Sequence, residues 1–202
     1  MSQRVAVLAS GSGSNLQALL DASDLGAEVV LVASDRADAG ALARAEAAGV
    51  PTRRVPFSRG DDRERWAADL AEAVGEASPG LVVLAGFMRV LPASFVVRWP
   101  ILNVHPSLLP AFPGARAVEE ALAWGVKVTG ATVHLVDEQV DHGPIVAQEA
   151  VGVEDDDDVA RLHARIQQVE HRLLPEAVRL HADGRLRVEG RRVRVLAASE
   201  EL

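Results

Sequence analysis

The chain has 202 residues, 49% of them hydrophobic and 25% charged, with a net charge of -8 and no cysteine. That length suits one domain with a sizeable core, and the balance of apolar and charged residues is that of a folded chain. Lack of cysteine excludes disulfides, thiolate metal ligands and cysteine nucleophiles. The acidic balance argues against wrapping a nucleic acid, which depends on phosphate neutralisation.

Near the amino terminus, residues 5–9 form an apolar run too short for a secretory leader, and residues 4–9 read as a buried strand. No later stretch reaches the roughly 20 apolar residues of a membrane span. A cytoplasmic protein without membrane contact is expected. Residues 14–22 follow a glycine turn as a helix; a strand at 28–34, a helix at 40–48 and a short strand at 52–55 come next. Over 61–77, Trp66, Leu70 and Val74 recur at helical spacing behind an acidic first turn. Residues 81–85 are an almost unbroken apolar strand between Pro79-Gly80 and Gly86. Apolar strands alternating with helices specify a parallel sheet covered on both faces, so the first half is doubly wound.

The second half departs from that rhythm. A strand at 101–105 leads into a proline-rich loop, 106–114, and a helix at 117–124. Strands at 127–135 and 145–151 are joined by residues 136–144. The acidic run 155–158 precedes a long helix, 159–182, and reads as its cap, because consecutive aspartates cannot all face one metal ion. Residues 185–196 alternate as a hairpin turning at Gly190. With no repeat and no low-complexity linker, 1–202 reads as a single α/β domain: a doubly wound, mostly parallel, Rossmann-like sheet with helices on both faces.

Two segments carry chemistry. The first is Ser10-Gly-Ser-Gly13-Ser14-Asn15, between the first strand and its helix. Backbone N–H groups at a helix amino terminus, flanked by small residues, form an anion site, and Ser14 and Asn15 add side-chain donors. Position 16 is Leu, so the third glycine of the dinucleotide fingerprint is missing. Asp35 still imitates the ribose-binding acid of a nicotinamide site, which keeps an oxidoreductase in play. A simple packing turn is the plainer alternative.

The second segment is Asn103-Val-His105-Pro-Ser-Leu-Leu-Pro110. Asn103 and His105 share one face at the carboxyl end of a strand, where parallel sheets bind ligands, and the prolines stiffen the backbone immediately after them. An amide beside an imidazole supplies two donors that can converge on an oxyanion. A carboxylate partner for the histidine comes from residues 136–144, where Asp141 and Asp137 compete. His134 occupies a core or site position on its strand. His142, His163, His171 and His181 read as surface or helix-face residues without metal-ligand spacing.

These segments, with Leu84-Ala-Gly-Phe-Met88-Arg89-Val90-Leu91 and Val140-Asp141-His-Gly-Pro144, resemble the phosphoribosylglycinamide formyltransferase family, and four motifs in the same order cover nearly the whole chain. The resemblance implies formyl transfer from 10-formyltetrahydrofolate to glycinamide ribonucleotide without a metal. It places Asn103, His105 and Asp141 on the catalytic trio, and Gly13, Ser14, Asn15 and Glu170 on the ribonucleotide. It places Arg63, Met88, Arg89, Val90, Leu91 and Asn103 on the folate. Residues 1–100 would then hold the phosphate, and residues 101–202 the catalytic and folate apparatus. By its position alone Glu170 is an ordinary exposed helix residue. Two departures stand out: Pro113-Gly-Ala-Arg116 lacks the family's usual histidine, and His142 replaces a usually small residue. The same trio serves a deformylase and a tRNA formyltransferase, each of which, by resemblance, carries a further domain that 202 residues leave no room for. A deformylase-like hydrolase is the alternative. Small molecules are the expected partners, and a homodimer is compatible with the sequence.

Overall fold

The computed structural model describes residues 2–197; Met1 and residues 198–202, at the ends of the expected domain, lie outside the described residues. In chain order the elements are β1 (Gln3–Leu8), α1 (Ser14–Asp21), β2 (Ala27–Ser34), α2 (Gly40–Ala47), β3 (Thr52–Arg54), α3 (Arg63–Glu76), β4 (Leu81–Leu84), α4 (Ala93–Val96) and β5 (Ile101–His105). Then come α5 (Ala117–Trp124), β6 (Val128–Leu135), β7 (Ile145–Gly152), α6 (Val159–Ala182), β8 (Leu186–Glu189) and β9 (Arg192–Val195). They build one nine-stranded sheet in the order β3-β2-β1-β4-β5-β6-β7-β9-β8. The first five strands in that order are parallel. β6 and β7 add antiparallel, and the β8–β9 hairpin meets β7 through the single pairing of Ile145 with Arg192.

Alternation along β1 shows why both faces must be covered. Val5 and Val7 point into a core with Leu16, Leu19, Ile166 and Leu174, beneath α1 and α6. Ala6 and Leu8 point the other way, into a core with Trp66, Leu70, Val74 and Phe95 from α3 and α4. Successive strand residues face opposite sides, so a strand apolar throughout is stable only between two helical layers. The expected elements are all present, with ends shifted by a residue or two. The addition is α4, four residues that close behind Pro92 and bury Phe95; a single turn leaves no periodicity to detect.

The acidic run behaves as a cap. Asp158 Oδ1 accepts from the Arg161 N–H at 2.8 Å. Asp156 pairs with Arg161, and Arg165 grips Asp157 through two nitrogens. That grip holds the Asp157 carboxyl down to about 2.

Candidate functional site

The parallel strands end along one edge, and their register places the two chemical segments on it. Leu8 of β1 pairs with Leu84 of β4, which pairs with Asn103 of β5. Adjacent strands lie about 4.8 Å apart, so the glycine loop after β1 and the Asn–His segment of β5 are two strand widths apart. Residues 86–91 lie between them; the Ser10 N–H donates to the Gly86 carbonyl at 3.1 Å.

His105 is 5% exposed and sits between two acceptors. Its Nε2 is 2.8 Å from the Phe112 carbonyl oxygen, which can only accept, so that nitrogen carries a proton. Its Nδ1 faces Asp141 Oδ2 at 3.4 Å. The carbonyl is aimed by the left-handed backbone of Phe112, φ 51°. Such backbone is costly for a bulky side chain and persists only where its surroundings impose it.

Asp141 is also left-handed, φ 50°, a conformation aspartate tolerates better than most residues. The turn brings its carboxylate inward, where the Gly114 N–H donates to Oδ2 at 2.7 Å and the Asn103 amide to Oδ1 at 3.4 Å. Burial pushes the Asp141 carboxyl up. The His134 imidazole, the charge of His105 and the Gly114 N–H together outweigh that, leaving it below the usual carboxylate range. Asp137 does not compete, because its Oδ2 is taken by His142 Nδ1 at 2.7 Å.

His134 is the member that sequence reasoning left without a role. It lies directly across from Asn103 in the β5–β6 pairing and is 1% exposed. Its Nδ1 bonds the Leu135 carbonyl at 2.9 Å, and its Nε2 lies 3.1 Å from the Asn103 amide nitrogen and 3.7 Å from Asp141 Oδ1. Asn103 is thereby fixed between His134 and Asp141. A buried polar residue two positions after buried Thr132, on a strand beside β5, was the available signal.

An open cleft of about 210 Å³ faces this cluster, lined by residues 86–91, Asn103, His105, Gly114, His134 and residues 136–141 among others. Met88 and Val90 are exposed there, whereas Leu91 is buried. Arg89 lines the cleft, but its guanidinium turns away: Nε donates to Asp35 at 2.5 Å, and a terminal nitrogen to the Phe57 carbonyl at 3.1 Å. Ser10 Oγ donates to the other Asp35 oxygen at 2.6 Å and accepts from the Met88 N–H at 2.9 Å. Asp35 thus braces residues 88–89 and is unavailable to a ribose, which removes the nicotinamide reading. Arg63, exposed at the start of α3, is not part of the cleft lining.

On the other side of the edge, Gly13 caps α1 with φ 79°. Asn15 is 7% exposed and donates to Glu170 Oε2 at 2.9 Å across 155 residues of chain. Glu170 is itself 3% exposed, so it is no ordinary surface residue of α6. Asn15 Oδ1 is buried without a partner. A buried carboxylate beside an unsatisfied amide oxygen is costly unless a ligand supplies donors. Ser14 sits at the same turn, its Oγ 3.5 Å from Gln167 Nε2. Leu84 to Leu91 precede residue 100, while Asn103 to Asp141 come after it, so the cleft draws on both halves of the chain.

Residues 3–178 match the model of the formyl transferase family. The chain belongs to that family. A phosphoribosylglycinamide formyltransferase of Mycobacterium tuberculosis is 50% identical over 192 residues, covering 93% of this chain and 89% of that protein. The trifunctional purine biosynthetic protein adenosine-3 of Bos taurus is 47% identical over 191 residues, 92% of this chain. The chain spans only 19% of the length of that larger relative. Among solved structures, glycinamide ribonucleotide transformylase 1 from Symbiobacterium toebii superposes with a TM-score of 0.93 at 50% identity, covering 96% and 94% of the two chains. No helix among the described residues is long and apolar enough to cross a membrane.

Proposed function

We propose that this formyl transferase moves the formyl group of 10-formyltetrahydrofolate to the amine of 5'-phosphoribosylglycinamide in the cytoplasm. The products are formylglycinamide ribonucleotide and tetrahydrofolate. The observation that carries this reading is the convergence of Asn103, His105 and Asp141 on one cleft, with the buried Asn15–Glu170 pair along the same strand edge. The 50% identity to a named phosphoribosylglycinamide formyltransferase over nearly its whole length supports it.

In this reading the backbone N–H groups of Gly13, Ser14 and Asn15 take the phosphate. Glu170 and the unsatisfied Asn15 oxygen take donor groups of the glycinamide or ribose. The pterin occupies the cleft along Met88, Arg89, Val90, Leu91 and Asn103, and Arg63 meets the folate farther out. The amine attacks the formyl carbon and a new C–N bond forms. Asn103 and protonated His105 stabilise the oxygen of the tetrahedral intermediate, the imidazolium by its charge and the amide by trading its long 3.4 Å contact with Asp141 for that oxygen. Asp141 holds His105 charged and helps move the amine proton toward the folate nitrogen as the old C–N bond breaks. The test monitors tetrahydrofolate release by absorbance, with and without glycinamide ribonucleotide. Release that depends on the acceptor is expected. Equal release without it would assign a hydrolase instead.

A further inference from the structure

We infer that Arg191, in the turn of the C-terminal hairpin, is a positioning residue that locks the Asp141 loop in its working shape through His142 and Asp137. This rests on the catalytic reading of Asp141. Asp141 needs a left-handed backbone to turn its carboxylate toward His105, and the inner contacts to Gly114, Asn103 and His105 hold only the side chain. The backbone just beyond it is held from outside. An Arg191 terminal nitrogen donates to the His142 carbonyl at 2.6 Å, one peptide past Asp141. The other terminal nitrogen lies 3.1 Å and 3.3 Å from the two ring nitrogens of His142. The same ring meets Asp137 Oδ2 at 2.7 Å, and Asp137 Oδ1 accepts from the Gln139 N–H at 2.9 Å. The start of the loop, its end and the hairpin are thus tied at one imidazole.

The base of the loop leaves little freedom. The Leu135 N–H bonds the Pro144 carbonyl at 2.9 Å, and a Cβ on Gly143 would lie 1.8 Å from the Leu135 oxygen. The open span between is 136–143: the Val136 N–H is tied to the Ile101 carbonyl at 2.9 Å and Asp141 is held by its side chain, so among the described hydrogen bonds Arg191 is the one outside brace on the backbone of residues 137–143. That also gives the hairpin a purpose. It adds almost no buried surface and meets β7 at a single pairing, Ile145 with Arg192, which sets Arg191 beside the loop exit.

A double-mutant cycle tests it on the full chain, with turnover read by tetrahydrofolate release and folding by thermal melting. Arg191→Ala should lower kcat roughly 10-fold, short of the about 10²-fold that an ångström of misplacement can cost. The KM for glycinamide ribonucleotide should stay unchanged, because its pocket lies across the strand edge. Arg191→Lys, which keeps a donor for the carbonyl, should recover much of the loss. In an Asp141→Asn background, Arg191→Ala should cost nothing further. An equal loss in that background, or wild-type kcat in Arg191→Ala, overturns the lock while leaving the role of Asp141 intact. Asp141→Asn with wild-type kcat overturns the catalytic reading and the lock together. Should Arg191→Ala fail to fold, His142→Ala decides: a lowered kcat with the same non-additivity supports the lock, and wild-type kcat overturns it.

Discussion

Gly13→Ala perturbs the proposed phosphate loop at a position whose constraint can be worked out in advance. Gly13 has φ 79°, and a residue with a Cβ pays about 1–2 kcal/mol to enter the left-handed region. The added carbon would lie 2.6 Å from Ala41 Cα and 2.9 Å from Ala41 Cβ. Ala41 is fully buried on α2 and cannot swing aside. Overpacking of that kind costs about 1–3 kcal/mol. The two together give about 2–5 kcal/mol, which in a domain of this length is a melting-temperature loss of about 4–20 °C. Gly11, two residues earlier, has nothing within 4 Å of an added Cβ and no positive φ, so Gly11→Ala should melt as the wild type does. Steady-state kinetics at a temperature where both variants are folded supplies the second reading. Displacing α1 from α2 moves the Ser14 and Asn15 amides, so Gly13→Ala should raise the KM for glycinamide ribonucleotide and leave that for the folate alone. Wild-type melting of Gly13→Ala would refute the steric argument, and equal changes in both KM values would refute the assignment of the loop to the phosphate.

His105→Ala should lower kcat by roughly 10²–10⁴ and Asn103→Ala by roughly 10²–10³, both with the fold retained by circular dichroism; near-normal turnover in His105→Ala would remove it from the mechanism. Glu170→Gln keeps the shape at Asn15 but removes the charge, and should raise the KM for the ribonucleotide several-fold more than for the folate; a larger effect on the folate would contradict its placement. The Asp141 carboxyl lies below its ordinary value of 3.8 in the folded chain. Its stabilisation is therefore complete above that value and is lost as pH falls through the folded one. Melting curves of wild type and Asp141→Asn should converge as pH drops below about 4. A gap that widened in acid would show that the carboxylate is not held as described.

Periodicity and strand-end position were enough to place the sheet, its helical layers and the Asn103–His105 pair, because each depends on local pattern and on a general rule for parallel sheets. Asp141 over Asp137 could not be chosen that way. The choice turns on a left-handed residue and on His142 capturing Asp137, and neither leaves a mark on periodicity. Glu170 is the sharper case. Its burial arises from α6 packing against α1, a contact between residues 155 positions apart, so no window of sequence contains both partners. His134 was visible as a buried polar position on a strand, but its role depended on the antiparallel register that sets it opposite Asn103. Asp35 ran the other way: the fingerprint suggested a ribose ligand, and the fold gave its oxygens to Ser10 and Arg89.

That last substitution bears on how the site is built. A phosphate loop followed by an acid at the end of the second strand is an arrangement that elsewhere clasps a dinucleotide. Here the acid faces sideways along the strand edge, and through Arg89 and Ser10 it fixes residues 88–89, the wall of the cleft beside Asn103. The groups expected to act are in turn each held by one that does not: His105 by the Phe112 carbonyl, Asn103 by His134, Asp141 by Gly114. Charged and dipolar groups fixed in advance stabilise developing charge with little reorganisation at the moment of reaction, which is the largest electrostatic contribution such a site can make. On this view, loosening Phe112 or His134 should slow turnover while leaving binding of either substrate close to normal. Phe112→Gly, which relaxes the left-handed residue without removing its carbonyl, is the gentlest way to ask. Glycine is at home at φ 51°, so the carbonyl stays in reach of His105, and turnover should fall by less than in His105→Ala. Turnover as low as that of His105→Ala would mean that the Phe112 ring, and not its backbone oxygen, is what holds the histidine.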